Sequence, residues 1–411
     1  MPPHRLTHAH VLKDLLTAPP QLSRAAILVV WILASVYLLP FEADFLLALA
    51  LYYFWYTERE SLHGRRGVVS DPLFLLAAAL AILLGVSGLW SSGASLADHA
   101  QIWARLIAAV GFLLIVAHSV ANQHGFTTYL RHIIILAALL SALVCIAQYI
   151  VDPPFQSWRM KGLFRLNNPG KAGHQFAATL PFLAVSFLLG QGRWRLLAAL
   201  AIFCCIVVVI LTGTRAAWIG SFVGMLALAL ASLQMTRARF LALLALGTVV
   251  VTCLFIYASM HPESWLHTFL LPRGDSYRYA IWQTHIEQIA SGAWLVGTGA
   301  LTEQPFLTIA DQSLRGAHNL YLSTAEQTGV IGLALFLSIT AWTAWRLLSQ
   351  LERASARLGF SLLVTGCVLF TFNGDRLIDK VNLVWFVLWL PVAIAVALNL
   401  QAKRGATDAS D

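Results

Sequence analysis

The run Leu196-Leu197-Ala198-Ala199-Leu200-Ala201-Ile202-Phe203-Cys204-Cys205-Ile206-Val207-Val208-Val209-Ile210-Leu211, continuing through Thr212-Gly213-Thr214-Arg215 to Leu233, decides the fold. It is almost wholly apolar. As one helix it would measure roughly 57 Å, against a hydrocarbon core about 30 Å thick. The chain must therefore turn back within it, and Thr212-Gly213-Thr214 is the turn chemistry on offer. The stretch reads as two membrane-spanning helices with Arg215 at a tight turn near the membrane surface.

The same character extends outward. The 411 residues are 59% hydrophobic and only 11% charged, with a mean hydropathy of +0.73, whereas a soluble domain carries about 25% charged residues. The apolar runs are solid rather than alternating, which points to helices and not to a barrel. The chain is expected to be an all-α polytopic integral membrane protein with about 12 transmembrane helices, near 25–40, 44–56, 73–90, 102–121, 132–151, 175–190, 196–212, 216–233, 240–260, 328–345, 357–373 and 381–400. The second run is short for an untilted crossing. Residues 1–24 lack a signal-peptide cleavage pattern, so the first apolar run reads as a retained span. All five cysteines fall in apolar runs, as small buried hydrophobes do, with no disulfide framework or CxxC pair. Neither a P-loop nor a GxGxxG fingerprint appears. The net charge of +8 suits membrane lipids and no nucleic acid.

Basic residues set the orientation. With the N-terminus cytoplasmic, sixteen Lys and Arg fall in inside segments and ten outside, so both termini are expected in the cytoplasm. Residues 1–24 and 401–411 are then cytoplasmic, 25–260 hold nine spans with an outside loop at 152–174, 261–327 form a long outside loop, and 328–400 hold three spans. The outside basic residues are the informative ones, because the rule disfavours them there.

The chemistry gathers outside. Arg278-Tyr279-Ala280-Ile281-Trp282, Gly297-Thr298-Gly299 and His318-Asn319-Leu320-Tyr321-Leu322 with Glu326 occupy the long polar interval. Arginine presents a planar, permanently charged fork that pairs with phosphate oxygens, so Arg215 and Arg278 are candidates to hold a diphosphate and stabilise it as it leaves. A histidine titrates near neutral pH, which makes His318 a candidate base toward an attacking hydroxyl. Loop 152–174 adds Arg159, Lys161, Arg165 and Lys171, suited to an anionic acceptor or to lipid headgroups. Tyr279, Trp282, Trp294 and Tyr321 read as interfacial anchors or as surfaces for a sugar ring. Glu42 and Asp44 offer too few oxygens for a hard cation, so no metal and no cofactor is expected. Asp311 and Glu303 are placed to orient His318 or meet an acceptor. Asp375, Arg376, Asp379 and Lys380 are spaced for local ion pairs, and Arg105 and His118 need partners within the spans.

Together, Thr212-Gly213-Thr214-Arg215, Ser276-Tyr277-Arg278-Tyr279-Ala280-Ile281-Trp282, Gly297-Thr298-Gly299 and His318-Asn319-Leu320-Tyr321-Leu322 with Glu326 and Gly329 resemble the O-antigen ligase family of Gram-negative inner membranes, over roughly residues 160–330. The resemblance implies a metal-independent, GT-C-like membrane glycosyltransferase with its long loop in the periplasm. It would move an O-antigen glycan from an undecaprenyl-diphosphate-linked donor to a sugar hydroxyl of the lipid A-core acceptor, inverting the anomeric centre. It also implies Arg215 and Arg278 on the diphosphate and His318 as base. Asn319 and Tyr321 beside that histidine, and Arg159, Lys161 and Arg165 of the basic outside loop, are further substrate-binding candidates. The same superfamily holds O-antigen polymerases and protein O-oligosaccharyltransferases. A lipid or glycan transporter would instead show paired broken helices around a midplane site, and no such pair is seen.

Overall fold

The computed structural model describes residues 22–40, 45–57, 67–154, 158–233, 277–291, 294–303, 306–309 and 312–408, with scattered positions between 242 and 264. Its helices are α1 (Arg24–Leu38), α2 (Phe45–Thr57), α3 (Pro72–Ser87), α4 (Leu96–Asn122), α5 (Phe126–Val151), α6 (Pro169–Leu189), α7 (Gly192–Leu211), α8 (Arg215–Ser232), α9 (Arg278–Ser291), α10 (Leu320–Leu348), α11 (Ala354–Phe370) and α12 (Leu390–Asp408). A π-helical turn, Trp385–Trp389, leads into α12. Among the described residues, eight helical segments are long and apolar enough to cross a membrane, and α1, α2 and α11 are shorter apolar helices. This is a multi-pass helical membrane protein. The run expected at 240–260 lies largely outside the described residues.

Where hydropathy meets a polar stretch, helices start earlier than the apolar runs do. Ser95 and Asp98 form a reciprocal cap for α4, Asn168 caps α6 with Pro169 in its first turn, and Asn319 accepts from the backbone of Tyr321 and Leu322 to start α10. Residues 320–327, placed by sequence in the loop, are therefore the opening turns of α10. The hairpin at Thr212–Thr214 stands as expected, with α7 ending at Leu211 and α8 beginning at Arg215. One addition to the helical plan is a two-stranded antiparallel hairpin, β1 (Phe306–Ile309) with β2 (Gln312–Arg315).

Polar anchors fix each end of the bundle. At the end away from the site, the buried Asp71 carboxylate takes hydrogen bonds from Leu73 N at 2.9 Å, Arg346 Nη1 at 2.7 Å and Asn399 Nδ2 at 2.7 Å, tying α3, α10 and α12. A buried charge needs this full complement of partners. At the site end, Ala300 N donates to Ser87 Oγ at 3.1 Å, Leu301 N to Ser91 Oγ at 3.0 Å and Trp90 Nε1 to Gly297 O at 3.2 Å, so the segment 294–303 is stitched to the corner between α3 and α4. Trp385, Trp389 and Phe112 fill the core between.

Candidate active site

Arg215 is placed by a clamped turn. Gly213 has φ +58°, and a Cβ there would lie 2.5 Å from the Trp158 ring, so the position demands glycine. Arg159 donates from Nε to Thr212 O at 2.7 Å and from Nη2 to Thr214 Oγ1 at 3.1 Å, while Thr214 Oγ1 donates to Pro169 O at 3.0 Å. Met160 N donates to Leu211 O at 2.8 Å. The loop after α5 thus holds the turn, and Arg215 begins α8, where the helix end favours anions.

Arg278 begins α9. Its Nη2 donates to Phe372 O at 3.2 Å and its guanidinium carbon lies 5.2 Å from the centre of the Phe372 ring. Trp282, one turn on, donates from Nε1 to Ala317 O at 3.1 Å, immediately before His318. Beneath them His285 Nδ1 and Glu326 Oε2 meet at 2.8 Å, both buried, joining α9 to α10.

His318 sits at φ +46°, a backbone conformation uncommon for a residue other than glycine. Its N–H donates to Asp375 Oδ1 at 3.0 Å, and that same oxygen lies 3.8 Å from Nδ1 of its ring, which is about half exposed. Gln327 Nε2 donates to Asp375 O at 2.6 Å. Asp375 and Asp379 make longer-range contacts: Asp375 meets His318, and Asp379 pairs with Arg105 of α4 at 2.6 Å. Arg105 finds there the partner that its place in a span requires.

Beside this constellation opens a cavity of about 530 Å3 whose walls include Arg165, Lys171, Asp375, Arg376, Asp379 and Lys380. Four of those six side chains are basic, which suits an anionic ligand. Arg165 is anchored there by Nη2 donating to Val381 O at 2.6 Å. Lys161 is exposed on the loop. Asn319 spends its side-chain oxygen on capping α10, and Tyr321 donates its hydroxyl to Cys367 O at 3.0 Å while packing against Phe336 and Phe370. Glu42, Asp44 and Asp311 lie outside the described residues. The structure thus links Arg159 to the Arg215 turn, and Arg278 and His318 to the segment 372–375. Asp375 and His285 were not singled out for the site by sequence, since their partners are far away along the chain.

Residues 200–337, which include Arg215, Arg278 and His318, match the family model described as O-antigen ligase. That stretch is similar to the O-antigen ligase family. The chain is also 26% identical over 275 residues to a protein named O-antigen ligase from Pseudomonas aeruginosa strain PAO1, an alignment covering 66% of this chain and 64% of that relative's length. The matched stretch begins within α7 and ends within α10, enclosing the Arg215 turn, α9 and the His318 cap. Asp375 and the cavity walls beyond Val381 lie past its end.

Proposed function

We propose that the protein transfers an O-antigen glycan from undecaprenyl diphosphate to a sugar hydroxyl of lipid A-core, at the periplasmic face of a Gram-negative inner membrane. The observation that carries this reading is His318 held by Asp375 at the edge of a basic cavity. With Nδ1 facing Asp375, Nε2 is the ring nitrogen left to accept the proton of the attacking hydroxyl. The hydroxyl oxygen bonds to the anomeric carbon as the bond from that carbon to the phosphate oxygen breaks, so in-line attack inverts the centre. Undecaprenyl diphosphate leaves with its bonding electrons, and Arg215 and Arg278 neutralise it there.

The test is a lipopolysaccharide gel from a ligase-null Gram-negative host with compatible glycan and core. Wild type is expected to restore the polymer ladder on lipid A-core, and His318→Ala at matched membrane level to leave polymer on the lipid carrier. Failure of wild type here, with a ladder in a polymerase-null host instead, moves the assignment to an O-antigen polymerase. Transfer is expected to persist in EDTA; its full loss, restored by magnesium, would sink the metal-independent reading and turn attention to Glu42 and Asp44.

A further inference from the structure

His174 lies in the second turn of α6 and is only 3% exposed, yet among the described residues neither of its ring nitrogens has a hydrogen-bond partner. Buried imidazoles are normally satisfied, because water gave up two hydrogen bonds to bury them. The neighbours do not supply them. Gly173, just before it, packs so tightly on the Arg215 turn that a Cβ there would lie 2.7 Å from Thr212 Oγ1. The Thr212 hydroxyl donates to Val209 O and the Thr214 hydroxyl to Pro169 O. Arg278, Arg159 and His318 are near enough to act on His174 electrostatically, so it lies close to residues that the proposed reaction uses.

We infer that His174 is a substrate-binding residue whose ring N–H donates to a phosphate oxygen of the lipid-linked diphosphate, alongside the two arginine forks. The inference rests on the donor assigned above. An anion with several acceptor oxygens is the ligand that suits an unspent donor near guanidinium groups, because each oxygen can take more than one hydrogen bond. A purely packing role fits poorly, since an apolar side chain of the same shape would fill the site without leaving two polar atoms unpaired.

The experiment is a titration of undecaprenyl diphosphate, without glycan, against full-length protein in phosphatidylcholine nanodiscs, which keep anionic headgroups out of the measurement. Thermal unfolding is recorded in parallel. Wild type is expected to bind, His174→Gln to stay within about threefold, and His174→Phe to weaken binding at least tenfold without a lower unfolding temperature. Binding by His174→Phe equal to wild type overturns the inference and leaves the proposed function standing. No binding by wild type overturns both. If the phenylalanine ring lowers the unfolding temperature, His174→Leu is measured in its place, with the same two outcomes.

Discussion

One carboxylate oxygen, Asp375 Oδ1, takes the backbone N–H of His318 at 3.0 Å and faces the Nδ1 of its ring at 3.8 Å. The first contact holds the left-handed backbone at φ +46° that turns the imidazole outward at the cap of α10. The second favours the tautomer with Nδ1 protonated and Nε2 free. Asp375 therefore acts as a positioning residue for His318.

Asp375→Asn keeps an acceptor for the His318 amide but removes the charge that favours an imidazolium during proton transfer. We expect the rate of glycan transfer to fall by about 10- to 100-fold, with membrane levels unchanged. Asp375→Ala also leaves the amide unpaired and the left-handed conformation unsupported, a strain of about 1–3 kcal/mol, and is expected to fall further. Rates of transfer in inverted vesicles, normalised to protein, distinguish the two. Equal activity of Asp375→Asn and wild type would remove Asp375 from the mechanism.

Arg278 stacks on Phe372 and donates to its carbonyl, so one face and one corner of the fork are fixed in place by the protein. Lysine keeps the charge but has neither the planar face nor the fork. Arg278→Lys is expected to lose about 1.5–3 kcal/mol of charge-assisted bonding, or roughly 10- to 100-fold in kcat/KM for the lipid-linked donor. A donor titration at fixed acceptor checks it. A fall confined to the acceptor's KM would place Arg278 on the other substrate.

The buried contact between His285 and Glu326 carries α9, and with it Arg278, onto α10. Removing one partner strands the other in a dry environment. Glu326→Ala is expected to destabilise the protein by about 3–5 kcal/mol, seen as a lower unfolding temperature in detergent and loss of transfer. The double variant His285→Leu with Glu326→Leu strands neither group, so it is expected to recover part of that stability. If the double variant is as unstable as Glu326→Ala, the two side chains are not coupled and the helix is held by other contacts.

Much of this was legible in the sequence because it depends on local physics. The span lengths follow from bilayer thickness, and the reversal at Thr212-Gly213-Thr214 follows from a run too long for one crossing. Arg215 and Arg278 stand out because basic residues are disfavoured on the side that the charge bias marks as outside, and His318 because it falls in the same polar interval as Arg278. What stayed hidden is pairwise. Asp375 sits 57 residues beyond His318, and Asp379 is farther still from Arg105, so spacing within one segment suggested local ion pairs instead. The starts of α6 and α10 were hidden for another reason. Hydropathy falls at Lys171 and at Glu326-Gln327, while the caps at Asn168 and Asn319 start the helices before those polar residues.

Gly329 shows the same limit, since the sequence places it near the start of a regular span at 328–345 and the structure puts a break there, inside α10. It adopts φ 65°, ψ −168°, a region open essentially to glycine alone, and breaks the helix there. The groups freed by the break are taken up by the segment after α9: Val330 N donates to Trp294 O at 2.9 Å and Ile331 N to Leu295 O at 3.4 Å, while Thr298 N donates to Glu326 O at 2.7 Å. A Cβ at Gly329 would collide with the Leu295 backbone. Gly329→Ala therefore meets both backbone strain and a clash against main chain, which cannot rotate away. We expect a loss of about 2–4 kcal/mol in stability, together with release of 294–299 from α10. Hydrogen exchange by mass spectrometry should show protection lost first in peptides covering 294–303, ahead of α3 and α4. An alanine variant with wild-type exchange there would mean that the segment is held to the bundle through Ser87 and Ser91 rather than through the break in α10.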